Sequence, residues 1–97
     1  MKKLGLLATL KAKSGKEAEV EQFIKGAIDL ARQENKTITW YSFKIDANTF
    51  GIFDTFENEE GREAHLNGEI AKALMENADR LLSEAPKIQK IEILSAK

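Results

Sequence analysis

Three stretches of this 97-residue chain set bulky apolar side chains at consecutive positions: Leu6 beside Leu7, Trp40 beside Tyr41, and Ile52 beside Phe53. The surrounding residues, rich in Thr, Ile, Leu and aromatics, suit extended strands. In a strand, neighbouring side chains point to opposite faces. A sheet with helices on one side and water on the other alternates between apolar and polar; these strands do not. Burying a large apolar side chain is worth ~1.5–3 kcal/mol over leaving it wet, so several exposed together are unfavourable in a small monomer. The economical arrangement is a second sheet packed face to face, supplied by an identical chain through a two-fold axis. A homodimer is therefore expected.

Alternating Leu and Ala over Leu4–Lys13 predict a first strand. Ser14-Gly15-Lys16-Glu17 reads as a capping box. The helix it opens carries Val20, Phe23, Ile24, Ala27, Leu30 and Ala31 on one stripe and ends near Asn35. Thr37–Ile45 and Thr49–Phe56 predict a hairpin across Asp46-Ala47-Asn48. Asn58 caps a short helix with Glu59 and Glu60 in its first turn, and Asn67-Gly68 suits a left-handed stop. A second helical piece runs from about Glu69 to Ser83, with Ile70, Leu74, Ala78 and Leu81 in one row. Ile88, Ile91 and Ile93 mark a last strand after Pro86. This β-α-β-β-α-β order predicts a ferredoxin-like α+β sandwich with helices on one face of an antiparallel sheet. With no repeat or linker, residues 1–97 read as a single domain.

Fifteen basic and 16 acidic residues give a net charge of -1, which offers no strong attraction to nucleic acid or an anionic membrane. The absence of cysteine removes disulfides, thiolate catalysis and Cys-based zinc sites. No metal site is expected from one histidine without such partners. The glycines form no phosphate-cradling loop, and the lysines and arginines, spread along helix faces, read as solvated surface. Met1-Lys2-Lys3 followed by Leu4–Leu10 imitates an export signal. The apolar run is short, Lys11 and Lys13 interrupt it, and no small-residue cleavage site follows. A strand in a cytoplasmic protein is the expectation, and no stretch is long enough to span a membrane.

His65, the only histidine, is the side chain suited to exchange protons near neutral pH. Near the end of its helix it would also be favoured as a half-exposed cation by the helix dipole. Asp54 stands inside Phe50-Gly51-Ile52-Phe53-Asp54-Thr55-Phe56. A carboxylate in apolar surroundings has its pKa raised and serves as a general base, unless a neighbouring Thr, Tyr or Lys pairs with it. A four-residue hairpin loop would put Asp54 on the face of Tyr41 and Phe43; a three-residue loop would put it beside Trp40. Trp40, Tyr41 and Phe43 suit either a core or the walls of a pocket for a flat molecule.

Thr39-Trp40-Tyr41-Ser42-Phe43, then Phe50-Gly51-Ile52-Phe53-Asp54-Thr55-Phe56-Glu57, then Glu63-Ala64-His65-Leu66, resembles the antibiotic biosynthesis monooxygenase family, including its quinol monooxygenase-like members. The resemblance covers nearly the whole chain. It implies a dimeric α+β barrel with a small pocket in each subunit between sheet and helices. It also implies oxidation of a small electron-rich aromatic (quinol, phenol or anthrone) by molecular oxygen, with no cofactor, neither metal nor flavin. On that reading His65 is base or anion partner, Asp54 orients it or shares its proton, and Trp40, Tyr41, Phe43 and Phe56 hold the ring. The same constellation suits a non-catalytic dimeric small-molecule-binding module, or an isomerase of a small carbonyl compound.

Overall fold

The structure, a computed structural model, describes residues 3–97. Its elements run β1 (Leu4–Lys11), α1 (Glu17–Gly26), α2 (Ile28–Ala31), β2 (Thr37–Asp46), β3 (Thr49–Phe56), α3 (Glu59–Leu66), α4 (Glu69–Leu81) and β4 (Lys87–Glu92). The four strands form one antiparallel sheet in the order β2-β3-β1-β4, the ferredoxin-like arrangement. Among the described residues no helix is long and apolar enough to cross a membrane.

Strand pairing sets Leu6 opposite Asp54, and Asp54 opposite Trp40. Paired residues share a face, so Leu6, Ala8, Leu10, Phe50, Ile52, Asp54, Phe56 and Trp40 look towards the helices. Leu10, Phe50 and Ile52 join Val20, Ile24, Leu74 and Leu81 in the core there. The other face carries Leu7, Thr9, Gly51, Phe53, Thr55, Tyr41 and Phe43, and no helix covers it. Thus bulky residues do occupy both faces, and Tyr41 is 54% exposed.

Two glycines shape the uncovered face. A methyl group on Gly51 would lie inside van der Waals contact of the Phe43 ring, and one on Gly5 would come within 3.0 Å of Phe53 Cε1. Each ring therefore lies flat over a glycine on the neighbouring strand. Gly51→Ala is expected to destabilise the fold by about 1–3 kcal/mol through overpacking, measured by urea unfolding. The double variant Gly51→Ala with Phe43→Ala should lose less than the two single losses added.

Several local expectations are corrected. The single long helix is broken at Gly26-Ala27: glycine is a poor helix former, Ala27 sits at φ -64°, ψ -13°, and Leu30 N–H bonds back three residues to the Ala27 carbonyl. Ser14 does not cap α1. The N-cap is Lys16, without a side-chain bond, while Gly15 N–H donates to Glu17 Oε1 at 2.8 Å. Nor does α3 end left-handed: Asn67 has φ -100°, and its side chain donates to the Glu63 carbonyl. Asn58 does cap α3, accepting from Gly61 N–H at 3.0 Å. Arg62 is buried rather than solvated. Its guanidinium donates to the Gly5 and Ile91 carbonyls, both at 3.3 Å, and to Glu59, which fastens α3 across β1 and β4.

Candidate functional site

With α3 capped by Asn58 and fastened by Arg62, His65 in its last turn points inward and is only 8% exposed. The half-exposed position expected at a helix end is thereby corrected. Nδ1 lies 2.7 Å from Glu34 Oε1, and Nε2 lies 2.8 Å from Asp54 Oδ2. Phe56 supports the ring, its centroid 5.4 Å away and its plane tilted by 46°. One imidazole is held between two carboxylates.

The two carboxylates differ in surroundings. Asp54 is 1% exposed, and its contact with Nε2 is out of line with the ring N–H, so neither oxygen receives an aligned hydrogen bond. Burial pushes its pKa up, and pairing with His65 only partly opposes this. Glu34 is half-buried and also accepts from the Thr37 hydroxyl at 2.6 Å. Burial alone would raise it, but the bonds from His65 and Thr37 hold it below the ordinary glutamate value. Burial would lower His65; pairing with the Asp54 carboxylate, and then the hydrogen bond to Glu34, outweighs this and raises it to about 9. The two carboxylates therefore favour the imidazolium over the free base at neutral pH.

The ring separates two hollows. On the Nε2 side a cavity of about 130 Å³ is lined by Asp54, His65 and apolar groups, among them Leu6, Ile52, Ile70, Leu74 and Ile88. On the Nδ1 side lies an open groove of about 430 Å³ bordered by Glu34, Lys36, Thr37, Gly68 and Glu69. Gly68 keeps this corner narrow, since a methyl group there would stand 3.2 Å from the His65 carbonyl and 3.3 Å from Glu34 Oε2.

Of the residues singled out from sequence, the structure gathers His65, Asp54 and Phe56, although Phe56 backs the ring and does not line the cavity. Trp40 stands opposite Asp54 on β2, packs against the core, and keeps its indole N–H buried without a partner. It too lies outside the cavity wall. Tyr41 and Phe43 are not part of this site. The strands pair down to Asp46 opposite Thr49, and an irregularity between Lys44 and Asp46 leaves the register of a three-residue loop, which turns both rings to the uncovered face. Glu34 was not foreseen. It is one of 16 acidic residues, and nothing in its immediate sequence distinguishes it.

One imidazole held between two carboxylates, one of them facing an apolar cavity beneath a ferredoxin-like sheet, is the candidate site of this α+β sandwich. The crystal structure of NE2512, a protein of unknown function from Nitrosomonas europaea, matches with a TM-score of 0.97 at 50% identity, covering 100% of this chain and 94% of that one. The chain belongs to the same family as NE2512. PA3566 from Pseudomonas aeruginosa matches with a TM-score of 0.84 at 21% identity over 98% of this chain and 97% of that one. An antibiotic biosynthesis monooxygenase matches with a TM-score of 0.80 at 14% identity, over 95% and 99% respectively. At these identities the last two establish a common fold and no more. No protein-family model and no curated protein matches the sequence.

Proposed function

We propose that the protein is a cofactor-independent monooxygenase that oxidises a single-ring phenol or quinol with molecular oxygen, acting as a dimer. The observation that carries the reading is Asp54: a buried carboxylate of raised pKa, with an oxygen unpaired, lining an apolar cavity beside an imidazolium. A hydrophobic cavity of ~150 Å³ accepts benzene, so a hollow of about 130 Å³ is of the size of one aromatic ring. The resemblance of the Asp54 strand and the Ala64-His65-Leu66 helix to monooxygenases, and the fold shared with one of them, point the same way.

Asp54 takes the proton of the ligand hydroxyl, since a base of raised pKa is better matched to a phenol than an ordinary carboxylate. The ligand oxyanion is then held beside the His65 cation in dry surroundings, where charge pairing is strong. The electron-rich anion passes one electron to oxygen, and the two radicals combine at a ring carbon bearing hydrogen to give a peroxide anion, which takes the proton held by Asp54 and becomes a hydroperoxide. Asp54 then removes that hydrogen as a proton while the O–O bond cleaves, which leaves a quinone. The departing hydroxide collects the proton from Asp54 and leaves as water. Of the two roles that the resemblance implies for His65, base or anion partner, this division of labour takes the second.

Oxygen electrode measurements with a panel of single-ring phenols and quinols test the reading. Uptake is expected, and Asp54→Asn should lower kcat by about 10²–10⁴-fold, the range of general-base catalysis. Proton exchange into a carbonyl substrate without oxygen uptake would identify an isomerase instead.

The dimer follows from the uncovered face. Gly5, Leu7, Thr9, Gly51, Phe53, Thr55, Thr39, Tyr41 and Phe43 are paired across three strands without a charge among them. Two such faces stacked about a two-fold axis would bury the exposed Tyr41 and the half-buried Phe43 and Phe53.

A further inference from the structure

We infer that Glu34 is a positioning residue that fixes the division of roles at this site: by holding His65 at Nδ1 it keeps the Nε2 edge of the ring beside Asp54, leaving Asp54 as the group that receives a ligand's proton. The inference rests on the reading of the cavity as a ligand site.

Three features carry it. The ring is gripped at both nitrogens by carboxylates from different parts of the chain, 2.7 Å and 2.8 Å away, so it cannot flip without breaking both contacts. Glu34 is itself fixed, because Thr37 donates to the same Oε1 at 2.6 Å and Gly68 leaves space for Oε2. Finally, the half-buried Glu34 borders the open groove, whereas the fully buried Asp54 faces the smaller, apolar cavity. Remaining ionised is easier for the partly solvated carboxylate, so the Nδ1–H has a lasting acceptor.

Other charges nearby are already engaged or stand back. Lys36 pairs with Glu60, Lys90 with Glu63 at 3.3 Å, and Arg62 with Glu59 and two sheet carbonyls. Glu69 of α4 borders the groove without a contact to the ring among those described. The segments of β1 and β4 beside the cavity contribute Leu6, Ala8 and Ile88, none of them titratable.

The test is an NMR titration of the His65 ring in the ligand-free protein. In the wild type the midpoint is expected at about 9, and above it the neutral ring should carry its proton on Nδ1. Glu34→Gln should lower the midpoint by about one pH unit or more, a loss of tenfold or more in proton affinity, and weaken the preference for the Nδ1–H form, since a neutral amide oxygen replaces a charged acceptor. Glu34→Asp should fall between the two. Where oxygen uptake is measurable, Glu34→Gln should lower kcat and shift its pH profile while KM changes little, with partial recovery in Glu34→Asp. An unchanged midpoint and tautomer in Glu34→Gln would overturn the inference. If that variant does not fold, an unchanged midpoint in Glu34→Asp would do so. A wild type that oxidises no phenol defeats the proposed activity, whereas the titration still decides the role of Glu34.

Discussion

Urea unfolding should show a His65 contribution to stability that is fully present below pH 6.5 and is lost, by about 3 kcal/mol, as the pH rises through about 9. The sign follows from the proton count. The folded state raises the His65 pKa from 6.5 to about 9, so between those values it binds a proton that the unfolded chain has released. Stability is therefore lost as that proton is withdrawn. Asp54 acts in the same direction, since its pKa is raised by burial. Glu34 acts on the acid side, because a carboxylate held below its ordinary 4.5 loses its contribution as pH falls. His65→Ala should remove the slope attributed to the ring. It should also cost about 3–5 kcal/mol at neutral pH, as expected when a buried charge loses its partner. A flat pH dependence in the wild type, or a His65→Ala variant of undiminished stability, would contradict the ion-pair geometry.

The second large effect concerns the uncovered sheet face. Sedimentation velocity of the wild type at micromolar concentration should report a dimer, and Tyr41→Glu a monomer. Tyr41 is 54% exposed in the single chain, so the substitution leaves the subunit core untouched. In the stacked pair it sets an unpartnered carboxylate into a dry interface. A penalty of a few kcal/mol on each side of a two-fold axis weakens association by about 10³-fold or more. Circular dichroism should be unchanged. A wild type that sediments as a monomer would leave the exposed aromatics without the proposed partner.

Much of this architecture was readable from the chain because its signals are local. The paired apolar residues marked the strands, Asn58 followed by Glu59 and Glu60 marked the start of α3, and the turn residues marked the hairpin. His65 stood out as a singular residue, and Asp54 as a charge within an apolar run. What escaped depends on distance or on one residue of register. The irregularity between Lys44 and Asp46 decides on which face Tyr41 and Phe43 appear, and no propensity encodes it. Glu34 matters only because the helix breaks at Gly26-Ala27 and the chain then passes beside α3, a tertiary event. Arg62 resembles any surface arginine until the β1 and β4 carbonyls that it bonds are in place.

A crystal structure with a single-ring phenol bound tests the central claim most directly. The aromatic ring should occupy the cavity between Ile52 and Leu74, with its hydroxyl oxygen about 3 Å from Asp54 Oδ1. An empty cavity at saturating phenol, or a ring seated against Tyr41 and Phe43 with Asp54 untouched, would contradict it.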